Sequence, residues 1–583
     1  MFPNLHRAPD KVSISVESDG SFASASARSQ DHLVWELSDV RVTLATTPEG
    51  ALAISANSSD ALRGISLRWA HRFAPGVSFL GDTWERSYGD LGWQEDGFLR
   101  AMPWYFLANR GEQTAGYGVQ TGGGGLACWR ADREGVTLEL DVRSGGRGVE
   151  LGQRELGVAT IVQRLPRVGE SPFEAAKALC AALCPAPSAP TAPIIGHNDW
   201  YWLYGRNSEA LILEATERMV ELFPDNSPTR PWSVIDDGWQ ETGSGSLANS
   251  NGGPWSASAA AFPDMESLAQ KIRGLGARPG IWLRPLLTKT EVPASWRLRN
   301  PRPADAAAGQ VLDPSVPEVL GLVRADILRL RSWGYEMIKH DYTTFDVAGR
   351  WGNEMDSPHP GFTSDGWTFA DRSRTTAEIL RTLYATIREA AGNDAMVMGC
   401  NTVGHLAAGL VDIQRIGDDT SAFDWDRTRK MGVNTLAFRG VQHESFFAAD
   451  ADCVPISPHI PWNLSAAWMN LVAQSGTPLF LSIDPAACGK TQQRAIRHAM
   501  AEALRGGAVA EPLDWFNNKT PNLWHFSGAS RETRFEWDGV TCPPEELAGA
   551  VPMEGHSPGI SAEGARYLDS DKQAHLSFNL PSP

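Results

Sequence analysis

The chain has 583 residues, of which 42% are hydrophobic and 21% are charged, with 22 tryptophans and a formal net charge of −17. This length exceeds what one hydrophobic core can organise, so we predict roughly two to four domains. The acidic balance argues against a nucleic-acid partner, because phosphate binding depends on an excess of lysine and arginine.

Cysteine usage and the apolar runs exclude further classes of protein. The seven cysteines are odd in number and scattered, with no CxxC pair and matching histidines, so no metal site is predicted. The N-terminus, MFPNLHRAPDKVSISVES, lacks the basic start and apolar stretch of a secretion signal. No eighteen apolar residues run together, so we expect no membrane partner. The plain interpretation is a cytoplasmic protein, and the sequence leaves a homo-oligomer open.

The first part of the chain, from residue 11 to about 165, alternates apolar and polar positions between regularly spaced turn residues. The pattern is clear in KVSISVES, LVWELSDVRVTLATT, ALAISANS, GVTLELDVRS and GVATIVQRL. A period of two is typical of antiparallel strands in a sandwich. A helix around Glu174–Cys184 and the proline-rich segment CPAPSAPTAP then follow. We predict an N-terminal β-sandwich domain over residues 1–185.

After Ile194, short apolar runs alternate with amphipathic stretches. Eight runs are predicted as strands: IIGHNDWYW, WSVIDDGW, RPGIWLRPL, YEMIKHDY, AMVMGCN, VDIQRIG, ESFFAADADC and PLFLSIDP. Helical patterns between them include SEALILEATERMVELF, SVPEVLGLVRADILRLRSWG and RTTAEILRTLYATIREAAG. Strand and helix in alternation favour a parallel sheet, and eight repeats favour a (β/α)8 barrel over residues 186–505.

Beyond residue 505 the helical pattern ends. LWHFSG, TRFEWDG and AHLSFNL are predicted strands. We therefore predict a small C-terminal β-domain over residues 506–583.

Polar residues stand at the carboxyl ends of the predicted barrel strands. They are Asp199, Asp236, Asp237, Arg284, Lys339, Asp341, Asn401, Arg415, Asp419, Asp450 and Asp484. In a barrel these ends line one mouth, where the chemistry of this fold takes place.

The stretch IKHDY places Lys339 and Asp341 two residues apart, so both side chains project from the same face of a strand. His340 then points toward the helix layer. A lysine favours the ionised form of a neighbouring aspartate, which suits a nucleophile or a base. The alternative is a structural ion pair.

The stretch RIGDDTS supplies further carboxylates, Asp418 and Asp419, just beyond the sixth strand. Two carboxylates facing one another across a pocket are what cleavage of a glycosidic bond requires. The alternative is a helix cap or an Asx turn. In VIDDGWQ, Asp236 and Asp237 can accept hydrogen bonds from sugar hydroxyls, with the alternative of a polar turn.

The ordered pieces NDWYWLYG, VIDDGWQ, RPGIWLRPL, IKHDY, GCNTVGHLAAGLVDIQRIGDDTS and FFAADADC resemble the α-galactosidases of glycoside hydrolase clan D. The resemblance is nearest to family 36, more distant to family 27, and covers residues 194 to about 485.

The resemblance implies a role for each matching residue. Asp341 would be the nucleophile and Asp419 the general acid/base, although Asp418 leaves that second choice open. Asp236 and Asp237 would bind the hydroxyls at carbons 4 and 6. The other candidates for substrate binding in these motifs are Lys339, Arg415, Trp282, Asn401, Cys400, Asp199 and Trp200. The family uses no metal and no organic cofactor.

These motifs predict a retaining α-glycoside hydrolase whose partner is an oligosaccharide or another glycoside. Three alternatives stay open: a transglycosylase of the same fold, an α-glycosidase for a different sugar, and a non-catalytic carbohydrate-binding protein.

One stretch of the N-terminal domain, LGDTWERSYGDLGWQ (Leu80–Gln94), breaks the strand pattern with aromatic residues among glycines and acids. Such rings are poor core candidates in a loop, and leaving them exposed is unfavourable. We expect Trp84 either to reach the sugar pocket or to pack in the interface between domains.

Overall fold

The computed structural model describes residues 2–18, 20–27, 33–95, 101–225, 227–241, 252–299, 309–355, 362–507, 509–528 and 532–537. The predicted strand AHLSFNL lies outside the described residues.

The part of the chain before residue 165 folds into strands. They are β1 (Lys11–Val16), β2 (Ala23–Ser24), β3 (Ser26–Ala27), β4 (Val34–Leu37), β5 (Val40–Thr46), β6 (Leu52–Ser58), β7 (Leu62–Ala70), β8 (Ser78–Gly81), β9 (Gln94–Glu95), β10 (Met102–Pro103), β11 (Tyr105–Arg110), β12 (Gln113–Val119), β13 (Leu126–Asp132), β14 (Gly135–Asp141) and β15 (Leu156–Arg164). The strands predicted from the alternating pattern are confirmed.

These strands form two antiparallel sheets. One has the order β10-β13-β14-β7-β1-β2, and the other β3-β4-β5-β6-β15-β12-β11-β8-β9. Their inward positions are apolar, as in β6, where buried and partly exposed residues alternate. Trp69, Trp104 and Trp129 are fully buried in the core, and burial of such large rings supplies much of its stabilisation.

Helix α1 (Pro172–Leu183) closes one side of the larger sheet. Ser171 and Glu174 form a capping box at its start. A Cβ atom at Gly116 of β12 would lie 2.8 Å from the side chain of Leu179. Glycine is therefore what allows the helix to approach the strand so closely.

The second half of the chain contains the parallel strands β16 (Ile195–Asn198), β17 (Trp232–Ile235), β18 (Arg278–Leu283), β21 (Met337–His340), β22 (Met396–Gly399), β23 (Ile413–Arg415), β24 (Ala448–Asp450), β25 (Val454–Ile456) and β26 (Leu479–Ile483). Their order is β24-β23-β22-β21-β18-β17-β16-β26-β25. A short antiparallel pair, β19 (Leu287–Thr288) and β20 (Gln310–Val311), lies outside this sheet. Each of the eight predicted apolar runs contains a strand, so those strands are confirmed, and the ninth strand, β25, lies outside the predicted runs.

The helices between and after these strands are α2 (Trp200–Leu203), α3 (Glu209–Leu222), α4 (Met265–Leu275), α5 (Pro317–Ser332), α6 (Thr343–Ala348), α7 (Thr376–Ala391), α8 (Gly404–Ala407), α9 (Trp425–Thr428), α10 (Thr435–Arg439), α11 (Trp462–Ser475) and α12 (Lys490–Ala503). Short 3-10 turns span Ala294–Trp296, Gly352–Met355, Gly440–Gln442 and Pro485–Ala487, and a π-helical turn spans Arg429–Asn434. Helices α3, α5 and α7 confirm the three predicted helical patterns. Within the described residues, no helix is long and apolar enough to cross a membrane.

The parallel sheet curls so that its two edges are connected. Only residues 451–453 separate the edge strands β24 and β25, and the four chain steps from Asp450 to Val454 reach at most about 14 Å. Asp452 in this link binds both sides, because it accepts hydrogen bonds from the Tyr201 hydroxyl and from the Thr420 amide. The order of helices and parallel strands along this part of the chain also confirms the predicted alternation.

A three-stranded antiparallel sheet follows, formed by β27 (Ala510–Pro512), β28 (Leu523–Phe526) and β29 (Thr533–Arg534). Strands β28 and β29 lie within LWHFSG and TRFEWDG, as predicted. Trp524 and Phe526 belong to one continuous hydrophobic core with the buried residues of the two preceding parts of the chain.

Candidate active site

Asp341 directly follows β21, at the carboxyl edge of the parallel sheet. Its Oδ1 accepts hydrogen bonds from the backbone amides of Tyr342 (2.7 Å) and Asn401 (3.0 Å). Its Oδ2 accepts one from Trp282 Nε1 at 3.1 Å. Three donors from three segments of the chain therefore fix the orientation of this carboxylate.

The residue after Asp341 adopts a strained backbone conformation. Tyr342 has a φ of +61°, a left-handed value that is uncommon for a residue with a large side chain. The guanidinium of Arg284 lies 4.1 Å from the centre of its ring. Arg284 is itself buried in an ion pair with Asp346 of α6. These contacts hold the turn that presents Asp341.

His340, on the opposite face of β21, is fully buried, and its ring lies 5.9 Å from that of Tyr384 on α7. The prediction that it points toward the helix layer is confirmed.

Lys339 reaches across the sheet to the end of β17. Its ammonium donates to Asp236, which also accepts a 2.7 Å hydrogen bond from Asn198 Nδ2. Burial alone would lower the pKa of Lys339, but the Asp236 carboxylate outweighs it and holds this pKa well above its usual value. Lys339 and Asp236 thus form a buried charged pair beside Asp341. The ion pair considered from the sequence joined Lys339 to Asp341, whereas the structure pairs Lys339 with Asp236.

Two further carboxylates, Asp237 after β17 and Asp199 after β16, are placed differently. Asp237 is partly exposed and accepts a 2.6 Å hydrogen bond from Gln240. Burial raises its pKa to about 7. Asp199 is fully engaged within the protein, because its oxygens accept from the amide of Asp236 (2.7 Å) and from Asn207 Nδ2 (2.8 Å). Asp199 therefore supports the Asp236 loop.

Trp200 is partly exposed at the start of α2, and its ring lies 5.7 Å from that of Tyr204. Asp450 is buried and accepts from the amide of Asp452. Asp484 caps a 3-10 turn by accepting from the amide of Ala486. Asp484 therefore stands at the carboxyl end of β26, as predicted, with its side chain engaged in this cap.

The loop after β23 carries two carboxylates in unequal surroundings. Asp418 binds one arginine at each oxygen, Arg86 at 2.8 Å and Arg427 at 2.5 Å, and its side chain is 13% exposed. Asp419 is 26% exposed, and its Oδ1 contacts Arg415 at 3.1 Å and Arg86 at 3.4 Å. Burial would raise the pKa of Asp419, but Arg86 and Arg415 outweigh it and lower this pKa to about 2.

Arg415 and Cys400 lie beneath Asp419. Arg415 also pairs with Asp452 at 2.9 Å. The Cys400 sulfur lies 3.6 Å from Arg415 Nη1 and 3.7 Å from Arg86 Nη1. Burial raises the pKa of the Cys400 thiol, so this sulfur packs as a neutral group between two cations.

A hydrogen-bonded network connects Asp341 with Asp419 through the N-terminal part of the chain. Asn401 donates its amide to Asp341 and its side chain to Tyr88 (3.2 Å). The Tyr88 hydroxyl also accepts from Arg86 Nε at 3.1 Å, and Arg86 contacts Asp419. Asp341 and Asp419, the two carboxylates predicted from the sequence, are therefore joined by one hydrogen-bonded network.

Sequence reasoning missed Glu85 and Arg86, although they lie in the stretch whose aromatic residues, Trp84 and Tyr88 among them, drew attention. Glu85 is buried, accepts from the Asn401 side chain at 2.5 Å and from the Tyr88 hydroxyl, and burial raises its pKa to about 7. The signal available in the sequence was the charged pair itself, set between the aromatic residues Trp84 and Tyr88.

Trp84 lies in packing. It is 2% exposed, and its ring contacts Trp104 at 5.6 Å and Phe362 at 6.2 Å in edge-on arrangements. Phe362 belongs to the second half of the chain, so Trp84 lies where that half meets the N-terminal sheets. The packing alternative fits these contacts.

We expect Trp84→Ala to lower the free energy of unfolding by about 3–5 kcal/mol, because it leaves a cavity among buried rings. Thermal unfolding would measure this, with Trp84→Phe as the control that keeps an aromatic ring. The value of kcat/KM should stay near that of the unchanged protein. A normal melting temperature together with a large loss of kcat/KM would mean that Trp84 touches substrate instead.

Within the described residues, no group of three or more His, Cys, Asp or Glu side chains could hold a metal ion. The site consists of carboxylates, cations and aromatic rings. Such a set suits proton transfer and recognition of hydroxyl groups.

Comparison with known proteins identifies the fold. No family model matches the sequence. Among solved structures, the chain shares the fold of α-galactosidases, several of them described as members of glycoside hydrolase family 36.

An α-galactosidase from Thermus thermophilus has 16% identity and a TM-score of 0.58, with 90% of this chain and 99% of that chain covered. The family 36 enzyme from Geobacillus stearothermophilus has 15% identity and a TM-score of 0.58, with 89% and 79% covered. An α-galactosidase from Lactobacillus brevis has 13% identity and a TM-score of 0.57, with 88% of this chain and 76% of that chain covered. Structures of the Thermus protein include complexes with p-nitrophenyl α-D-galactopyranoside and with stachyose.

Proposed function

We propose that this protein is a retaining α-glycoside hydrolase that removes a terminal α-linked galactose or a close relative from an oligosaccharide or glycoside. The observation that carries the proposal is the network that joins Asp341 with Asp419 at the carboxyl edge of the parallel sheet. The shared fold of α-galactosidases supports the same reaction class.

We also propose a closed barrel and three domains for this chain. The curled sheet would be a closed (β/α)8 barrel whose seventh strand is divided into β24 and β25. The domains would span residues 1–185, 186–505 and 506–583.

In the proposed first step, an Asp341 oxygen attacks the anomeric carbon as its bond to the leaving oxygen breaks. Asp419 gives its proton to that oxygen, and a glycosyl ester forms on Asp341. In the second step Asp419 takes a proton from water, whose oxygen attacks the anomeric carbon and releases Asp341. The low pKa of Asp419 keeps its carboxylate ionised, the form that the second step requires. The first step requires that bound substrate weaken an arginine contact, so that Asp419 can carry a proton.

Substrate hydroxyls would bind the groups around Asp341. Asp236 and Asp237 can accept from hydroxyls, while Lys339 can donate. Trp282 holds Asp341 through its indole nitrogen and is 1% exposed, so its main contribution would be to the nucleophile. Because the Trp282 ring is buried, the proposed mechanism does not include a sugar stacked on it.

A panel of aryl α- and β-glycosides tests the proposal. We expect the aryl α-galactoside to be cleaved fastest, with Asp341→Ala as the control for contaminating activity. Faster cleavage of another α-glycoside would identify an α-glycosidase for a different sugar. Transfer of the sugar to an added acceptor in preference to water would identify a transglycosylase. Binding of the sugar with no cleavage would identify a non-catalytic protein.

The stereochemical outcome is a separate prediction. Direct attack by Asp341 requires the two carboxyl groups to lie roughly 5–5.5 Å apart along the reaction path, without an intervening water. Proton NMR during early hydrolysis of an α-galactoside should therefore show the α-anomer of galactose first. The β-anomer as first product would contradict the two-step mechanism.

A further inference from the structure

The loop after β8 is hydrogen-bonded to the loop that carries Asp418 and Asp419. The Ser87 amide donates to the Ile416 carbonyl at 2.9 Å, and the Asp418 amide donates to the Ser87 carbonyl at 2.8 Å. Residues 87 and 417 thus form a parallel bridge between segments that are 330 residues apart in the chain. The N-terminal part of the chain therefore fixes the backbone of the acid/base loop.

Further contacts anchor this junction. Asp82 and Arg439 form a buried ion pair at 2.8 Å, and Arg439 Nη1 donates to the same Ile416 carbonyl at 2.6 Å. On the other side of the loop, Asn434 exchanges two 2.9 Å hydrogen bonds with the backbone of Leu91. Buried charges and paired backbone groups of this kind resist local movement.

Arg86 sits at the centre of the junction. Its side chain is 5% exposed, with Nη2 on Asp418 and Nη1 on Asp419. Its Cζ lies 5.4 Å from the ring centre of Tyr88 and 5.7 Å from that of Trp351. The planar guanidinium is therefore held in one orientation, and its nitrogens can serve both carboxylates at once.

We propose that Arg86 is a positioning residue that assigns proton transfer to Asp419 and excludes Asp418. This inference rests on the proposed hydrolase function. Arg86 and Arg427 occupy both oxygens of Asp418, so each oxygen already has an arginine partner. Asp419 is bound through Oδ1 alone within the described residues, so Oδ2 is the oxygen that meets the leaving group or water.

The charges around Asp419 come from several elements. The cations are Arg86, Arg415, Arg427 and Lys339, and the nearby acidic groups are Asp418 and Asp452. The hydroxyls of Tyr201 and Tyr342 also face it. Among these cations, Arg86 and Arg415 touch Asp419, and Arg86 alone of the two comes from the N-terminal part of the chain.

The test compares Arg86→Gln and Arg86→Lys with the unchanged protein, using aryl α-galactosides of graded leaving-group ability. In Arg86→Gln, Asp419 loses a cation, so the high-pH limb of kcat/KM should move upward by about half to one pH unit. In Arg86→Lys the positive charge remains but the forked guanidinium is lost, so the high-pH limb of kcat/KM should move less than in Arg86→Gln. Both variants should lose more activity with poor leaving groups than with good ones, because Asp419, although more easily protonated, is no longer held in position to give its proton to the leaving oxygen.

A matched control is Asp90→Asn, because Asp90 lies in the same loop as Arg86. This variant removes the ion pair of Asp90 with Arg429 and leaves the Asp419 contacts in place. It should keep the pH profile and the leaving-group dependence. An unchanged pH profile in Arg86→Gln, with only a fall in melting temperature, would overturn the inference. If the unchanged protein cleaves no α-glycoside, the proposed function fails first, and the two failures are distinguished.

Discussion

Replacing Asp341 with alanine should reduce turnover of an aryl α-galactoside on the order of 10³-fold or more, because no glycosyl ester can then form. The loss should be similar for good and poor leaving groups, since both need the nucleophile. Steady-state kinetics with purified variants would measure it.

Asp341→Asn is the matched control, because it keeps the size of the side chain and a carbonyl acceptor for at least part of the donor set. It should be as inactive as Asp341→Ala with a melting temperature close to that of the unchanged protein. Substantial turnover by either variant would exclude Asp341 as the nucleophile.

Replacing Asp419 with alanine should cost roughly 10²–10⁴-fold with a poor leaving group, which needs a proton as it departs. With a good leaving group the first step should be nearly unaffected, so that the glycosyl ester accumulates and a burst of product appears. Added azide should then speed the second step by replacing water, and an azide adduct of the sugar should form.

Asp418→Ala is the comparison that decides between the neighbouring carboxylates. Because Asp418 binds Arg86 and Arg427, its loss should lower the melting temperature and weaken activity without a dependence on the leaving group. Leaving-group dependence in Asp418→Ala and none in Asp419→Ala would reverse the assignment.

The sequence predicts the parallel sheet well because its strands are nearly continuous apolar runs that end abruptly in polar residues. In the stretch around Lys339 and Asp341, the two-residue spacing also predicts which side chains face the helix layer, as His340 shows. Local patterns suffice there, since strand geometry alone determines the direction of each side chain.

The same reasoning does not reach the partners of those side chains. Lys339 pairs with Asp236, 103 residues earlier in the chain, and the spacing of Lys339 and Asp341 carries no information about that contact. Arg86 is more remote still, because its role depends on the pairing of Ser87 with the loop after β23. Aromatic content drew attention to Trp84, whereas the neighbouring charges enter the site.

Mass spectrometry after incubation with a 5-fluoro α-galactosyl fluoride, a probe whose glycosyl ester hydrolyses slowly, tests directly whether Asp341 is the nucleophile. We expect one sugar adduct per chain, on the peptide that contains Asp341, and no adduct in Asp341→Ala. An adduct on another residue, or hydrolysis of the probe with inversion and no adduct, would contradict it.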